Sequence, residues 1–307
     1  MNKERGEEGS MNIGFIGVGQ MGGRMALRLL NAGCDLIVHD ILKETARSLL
    51  DKGAKWVNTP KRLAESCEVV ISMVPGPREV EEIVYSPTGL MAGWKKGDIY
   101  VDMTTSLPTT TQRVTRDAES KGVAVLDAPV AGGIGGAEAG TLTIFVGGAT
   151  VTLQRVSGIL ELLGKKIMHM GNSGCGNITK IVNNMIALTC SSINAEAFVL
   201  GVKAGIDTRK LWDAVTSGTG NNRLLQETWP GTVFQGNFEP GFELNLALKD
   251  IGLATALARE YSIPLPVTAT VEQNLIEAKA AGLGRKRWSA HILRLEELAG
   301  VKVRFSP

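Results

Sequence analysis

The segment Asn12-Ile13-Gly14-Phe15-Ile16-Gly17-Val18-Gly19-Gln20-Met21-Gly22 constrains the fold more than any other part of the chain. An apolar run leads into Gly17-x-Gly19-x-x-Gly22, and an amphipathic stretch ending at Gly33 follows at once. That order reads as strand, tight turn, helix. Gly17 permits the turn, Gly19 lets backbone approach a pyrophosphate, and Gly22 lets helix and strand pack closely. The phosphates would sit at the helix N-terminus, where unbonded N–H groups and the helix dipole favour anions. Asp40 closes the next apolar run, Asp35–Asp40. A carboxylate there accepts hydrogen bonds from an adenosine ribose and repels a 2′-phosphate. The expected cofactor is therefore NAD, with NADP kept as the alternative by nearby Lys43 and Arg47. The cofactor-binding residues on this reading are Gly17, Val18, Gly19, Gln20, Met21, Gly22 and Asp40; the bland alternative is an ordinary βα turn with a surface aspartate.

Four further apolar runs, Glu68–Pro75, Asp98–Met103, Val123–Val130 and Thr141–Gly148, alternate with helical patterns. Strands separated by helices predict a mainly parallel, doubly wound sheet. Beyond residue 174 the strand signal stops. Breaks at Gly205, Gly218–Gly220, Pro230, Pro240–Gly241, Pro264, Pro266 and Gly282–Gly284 divide what remains into helices. The expected fold is an α/β Rossmann-type doubly wound N-terminal domain plus an all-α C-terminal domain. Its divisions are a polar, disordered tail over 1–10, a dinucleotide-binding domain over 11–173 and a helical domain over 174–307. A length of 307 residues suits two domains. A net charge of +2 provides no field for nucleic acid. Cys34, Cys67, Cys175 and Cys190 lack zinc spacing and read as reduced thiols. The first ten residues lack the apolar core of a signal peptide, and no run reaches the roughly 18 apolar residues of a membrane span. These features predict a cytoplasmic protein without a membrane partner.

Residues 177–202 carry only two charges, Lys180 and Glu196. On a helix, Ile178, Ile181, Val182 and Met185 share one side, while Asn177, Lys180, Asn184 and Ser191 share another. Such a helix is expected to be buried on several sides, with one cation in a polar stripe. Removing hydride from a carbinol requires a group to take the hydroxyl proton. Tyr85, Tyr100 and Tyr261 have no lysine four residues on, and His39, His169 and His291 show no metal spacing. No metal site is expected. Lys180 is the candidate acid/base, because a charge-poor surrounding lowers the pKa of an ammonium; the other reading of its spacing is a lysine snorkelling from the first turn of a helix to water. Asn184, one turn on, points the same way and suits orienting a substrate hydroxyl.

Four blocks in order, GFIGVGQMG, DAPVAGGIGGAEAGTL at 127–142, GCGNITKIVNN at 174–184 and KDIGLA at 249–254, resemble the 3-hydroxyisobutyrate dehydrogenase family of β-hydroxyacid dehydrogenases. The resemblance runs from Met11 to about Val303. It implies that Lys180 is the catalytic lysine, that Asn184 orients substrate, and that Lys249 approaches nicotinamide and substrate. It implies that Gly132 and Gly133 offer amides to the substrate carboxylate, and that Met73, Val74 and Thr104 line the cofactor. Two adjacent side-chain-free amides also suit an anion on their own account. A plain ion pair with Asp250 is the other reading of Lys249. The block departs from the family at Ala131, where a serine is usual, so a hydrogen-bonding group is missing from the carboxylate subsite. The implied reaction interconverts a small β-hydroxy acid and its semialdehyde, of the 3-hydroxyisobutyrate, tartronate semialdehyde or 2-(hydroxymethyl)glutarate type. Arg223 is either a partner for a second substrate carboxylate or a solvated arginine after a glycine turn. The resemblance and the apolar helix together imply a homodimer or homotetramer. The alternatives are an NADP-dependent semialdehyde or imine reductase on the same scaffold, and a non-catalytic dinucleotide-binding module.

Overall fold

The computed structural model describes residues 12–305, so the tail expected over Met1–Ser10 lies outside the described residues. Among the described residues nine strands form one sheet. They are β1 Ile13–Ile16, β2 Leu36–His39, β3 Lys55–Trp56, β4 Val69–Ser72, β5 Ile99–Asp102, β6 Ala124–Asp127, β7 Val130–Ala131, β8 Leu142–Gly147 and β9 Gly164–Gly171. The helices packed with them are α1 Gly22–Asn31, α2 Arg47–Leu50, α3 Pro60–Ser66, α4 Pro77–Tyr85, α5 Pro108–Glu119, α6 Gly133–Ala139 and α7 Thr150–Leu163.

The strand order is β3-β2-β1-β4-β5-β6-β8-β7, with β9 on β8. Strands β1 to β6 pair in parallel, and β8 runs antiparallel to both β6 and β7. β1, β4 and β5 are buried along their whole length, as parallel strands covered on both faces must be. One face packs Phe15, Leu29, Val38, Ile71, Val101 and Leu160. The other packs Ile16, Leu63, Val70, Tyr100 and Val114. The chain passes from β1 to β2 on one side and reaches β4 on the other. Between β1 and β4 lies the switch point, outside whose carboxyl ends ligands bind in such sheets.

The sequence reading differs from this sheet in three places. β3 has two residues and makes too little pattern to be seen. β9, Gly-Lys-Lys-Ile-Met-His-Met-Gly, shows no clean alternation because it pairs only with β8 and exposes Lys165 and Lys166, a usual protection for a sheet edge. The single run Val123–Val130 is two strands. Pro129, which has no amide hydrogen to continue a ladder, separates them.

Helix α8, Cys175–Lys203, opens in the first compact unit, which ends at Lys180, and continues in the second, which starts at Ile181. The division thus falls beyond the 173 expected from loss of strand signal, because the first turn of α8 is bonded to β6 and to the segment around Ser106. The second unit adds α9 Thr208–Ser217, α10 Leu244–Glu260, α11 Pro266–Ala278 and α12 Ile292–Ala299. Its extended pairing among the described residues is one isolated bridge, Glu243 with Arg287. One core gathers Phe198, Trp229, Phe234 and Val303, and another gathers Leu188, Ala247, Ile251, Leu275 and Trp288. Pro266 opens α11 at its first turn, where a missing N–H costs nothing.

By length and composition α8 is apolar enough to cross a membrane, contrary to the expectation that no segment would be. Alanines, serines and threonines among its aliphatic residues hid this from a count of consecutive apolar positions. Its Leu188, Ala195, Phe198 and Val199 belong to the cores just described.

Candidate active site

The carboxyl ends of β1, β4, β5 and β6 lie in register, with Ile16 beside Ser72, Ser72 beside Asp102, and Asp102 beside Asp127. The loops leaving this edge therefore start level with one another. At Gly17 the backbone takes φ +82°, and its N–H donates to the His39 carbonyl at 3.0 Å. A β-carbon at Gly17 would overlap the Met73 carbonyl oxygen, and one at Gly22 would overlap the Gly17 carbonyl oxygen. Gly19 faces open space within 4 Å. No side chain caps the first turn of α1. A dinucleotide pyrophosphate fits this cradle, whose amides no β-carbon at Gly19 shields. Gln20 accepts hydrogen bonds from Arg24 through its carbonyl and its side chain, and Met21 stands at the N-cap of α1.

Asp40 does more than the sequence suggested. Its Oδ2 accepts from the Val18 N–H at 2.8 Å and its Oδ1 from the Leu42 N–H at 3.0 Å. It fastens the glycine loop to the end of β2. A carboxylate has about four acceptor positions, so two remain for ribose hydroxyls. Ile41 beside it is 93% exposed, and the Lys43 ammonium lies over the Trp56 ring, 5.8 Å from its centre.

Met73 follows β4, donating its N–H to the Ile16 carbonyl. The Val74 N–H donates to Thr104 Oγ1 at 3.1 Å, and the Thr104 N–H donates to Asp102 Oδ1 at 3.0 Å. Ser72 Oγ also donates to Asp102 Oδ1, at 2.8 Å, which leaves the Tyr100 hydroxyl to donate to Ser72. Burial pushes the Asp102 carboxyl up to about 6, the Thr104 and Ser72 hydrogen bonds pull it back, and Asp127 pushes it further up. Sequence reasoning named Met73, Val74 and Thr104 but not the buried carboxylate behind them. An aspartate closing an otherwise apolar strand was the available signal.

Asp127, buried at the end of β6, was missed in the same way. Its Oδ1 accepts from the Gly174 N–H and its Oδ2 from the Asn177 N–H, both at 2.8 Å. Burial raises its pKa, and the Gly174, Asn177 and Gly176 amides oppose that rise. Asn177 is fully buried, with its Oδ1 accepting from the Ser106 N–H and its Nδ2 donating to Thr111 Oγ1. It anchors the start of α8 to the sheet unit. After β7, where Ala131 is half-buried, Gly132 and Gly133 take φ +129° and +62° and lead into α6.

Lys180 follows Asn177 by three residues and is half-buried. Asn184 stands one turn further along the same helix, so the two share a face. In the second unit Asn184 Nδ2 donates to Asp250 Oδ2 at 2.5 Å, and Asn184 Oδ1 accepts from Asn183. Lys249 Nζ lies 2.9 Å from Asp250 Oδ1, an ion pair without aligned hydrogen-bond geometry. The plain reading of Lys249 as an ion-pair partner is thus present, but Asp250 is buried rather than at the surface. One carboxylate holds both a lysine and the amide of Asn184. Arg223 is exposed and pairs with Glu227 at 2.6 Å, which matches the solvated arginine of the sequence reading. Among the described residues no group of three His, Cys, Asp or Glu side chains is placed to hold a metal.

A Rossmann sheet with its glycine cradle at the switch point defines a dinucleotide-binding protein, and two family descriptions divide the chain in the same order. Residues 12–171 match the NAD binding domain of 6-phosphogluconate dehydrogenase, and residues 174–295 match the NAD-binding domain of NADP-dependent 3-hydroxyisobutyrate dehydrogenase. The chain is 35% identical over 297 residues to 2-(hydroxymethyl)glutarate dehydrogenase of Eubacterium barkeri, covering 96% of this chain and 98% of that one. It is 37% identical over 275 residues to 3-hydroxyisobutyrate dehydrogenase of Pseudomonas aeruginosa, covering 88% and 92%. The structure of Mycobacterium tuberculosis 3-hydroxyisobutyrate dehydrogenase with L-serine superposes with a TM-score of 0.86 at 32% identity, covering 94% and 99%. The chain belongs to the 3-hydroxyisobutyrate dehydrogenase family, and it is an oxidoreductase acting on hydroxy acid donors.

Proposed function

We propose that the protein is an NAD-dependent dehydrogenase that interconverts a small β-hydroxy acid and its semialdehyde. Lys180 serves as general acid/base and Asn184 orients the substrate hydroxyl. The observation that carries the reading is the placement of Asn184 one helical turn on from Lys180, with its amide held by the buried Asp250. Bound nicotinamide dinucleotide supplies the hydride acceptor. In oxidation the neutral Lys180 amine takes the hydroxyl proton, and in reduction its ammonium polarises the carbonyl and returns that proton. Gly132 and Gly133 present amides to the substrate carboxylate, with Ala131 leaving out the hydroxyl usual at that position, and Lys249 supplies a further cation.

NAD is preferred on this reading because Asp40 is fixed at the ribose position and its neighbour Ile41 offers no cation to a 2′-phosphate. The second reading, use of NADP, is favoured by the description matched over 174–295. The substrate proposed first is 2-(hydroxymethyl)glutarate, supported by the near full-length similarity to that dehydrogenase. 3-Hydroxyisobutyrate and tartronate semialdehyde follow. A panel of these compounds, assayed with NAD(H) and NADP(H) at the nicotinamide absorbance, tests both points. Turnover of none of them, or faster turnover with NADP than with NAD, would contradict the proposal. Free thiols at all four cysteines support a reducing, cytoplasmic location.

A further inference from the structure

A helix whose first turn needs capping commonly supplies its own serine, threonine or aspartate. Helix α8 does not. Gly174 precedes it, with φ +92° and no side chain. The acceptor comes instead from Asp127, at the end of β6, which takes the Gly174 and Asn177 amides on its two oxygens. Burying a carboxylate is costly unless it is well bonded. A local polar cap would satisfy the same amides without that cost. What the remote carboxylate adds is a rigid link between the sheet and the helix start. Two glycines admit it: a β-carbon at Gly147 would overlap Asp127 Oδ1, and one at Gly176 would crowd the Asp127 carbonyl oxygen.

Asn177 fixes the remaining freedom. With its side chain bonded to the Ser106 N–H and Thr111 Oγ1, rotation of α8 about its own axis is blocked. Lys180 is three residues on, about 60° away around the helix and less than one turn along it. We propose that Asp127 is a positioning residue, which sets where the first turns of α8 place the Lys180 side chain. This rests on the reading of Lys180 as the acid/base. A displacement of about 1 Å at such a group is enough to slow proton transfer severely.

The test is a double-mutant cycle between Asp127→Asn and Lys180→Ala in the full chain. The asparagine keeps the shape but turns an NH2 toward one of the two backbone N–H donors. With 2-(hydroxymethyl)glutarate, or 3-hydroxyisobutyrate if that is the faster substrate, kcat of Asp127→Asn should fall about 10- to 100-fold. The Kd for NAD, followed by fluorescence, should stay within about twofold, because the glycine cradle is untouched. In the Lys180→Ala background Asp127→Asn should cost little more, because both act through one group. An equal fold-loss in both backgrounds, or an unchanged kcat, would overturn the positioning role. Retained turnover in Lys180→Ala alone would instead overturn the acid/base reading and this inference with it. If Asp127→Asn yields no folded protein, Thr111→Val loosens the same turn through Asn177, and additivity in its cycle with Lys180→Ala overturns the inference equally.

Discussion

Asp40 is bonded to the loop it closes and, in the proposed function, also meets the adenosine ribose. Replacing it should therefore weaken cofactor binding in two ways. Asp40→Ser with Ile41→Arg should raise the KM for NAD about tenfold or more and narrow the preference over NADP, read from kcat/KM with each cofactor. An unchanged preference would remove Asp40 from cofactor selection. Asp102 gives a different signature. Its carboxyl titrates at about 6 in the folded chain, above its ordinary value of 3.8, because it is buried. The folded state then binds more protons than the unfolded one between those values. Stability is fully present below about pH 4 and falls as pH rises through about 6, by on the order of 3 kcal/mol. Asp102→Asn can still accept from Ser72 and Thr104 on its carbonyl oxygen, so denaturation followed across this window should show a flatter pH dependence. An unchanged slope would contradict the assignment.

At the scale of elements, the long apolar strands and glycine turn were legible because their pattern and their structure follow from the same burial. β3 and β9 were not, since a two-residue strand has no period and an edge strand is shaped by the need to avoid pairing. Helix α8 was legible as charge-poor, but its surroundings were not. Val182, Ile186, Ile193 and Leu200 are 44%, 56%, 55% and 71% exposed, and their spacing puts them on one face. Four large apolar side chains in one stripe are a surface to be covered, and we expect a homodimer or homotetramer formed through it. Light scattering at micromolar protein should report a dimer or larger, and Ile193→Asp with Leu200→Asp should give a monomer. A monomeric unaltered protein would contradict this.

Across the whole molecule, the proposed site residues are distributed over both compact units of the chain. Blocks of sequence single out the side chains proposed to carry the chemistry, because reaction geometry demands particular groups at particular spacings. They do not reveal what holds those groups, since Asp127, Asp102 and Asp250 act through partners far away in sequence. Asp250 matters for the most direct test, because it binds both Asn184 and Lys249. Removing Lys249 leaves a buried carboxylate without its ion-pair partner, so Lys249→Ala should lose stability as well as substrate affinity. The decisive measurement is single-turnover hydride transfer in Lys180→Ala and Lys249→Ala, with NAD binding followed separately by fluorescence. The account predicts a loss of about 10²- to 10⁴-fold for Lys180→Ala, with NAD affinity nearly unchanged. Lys249→Ala should mainly raise KM. Near-normal transfer in Lys180→Ala together with its loss in Lys249→Ala would move the acid/base to Lys249 and contradict the account at its centre.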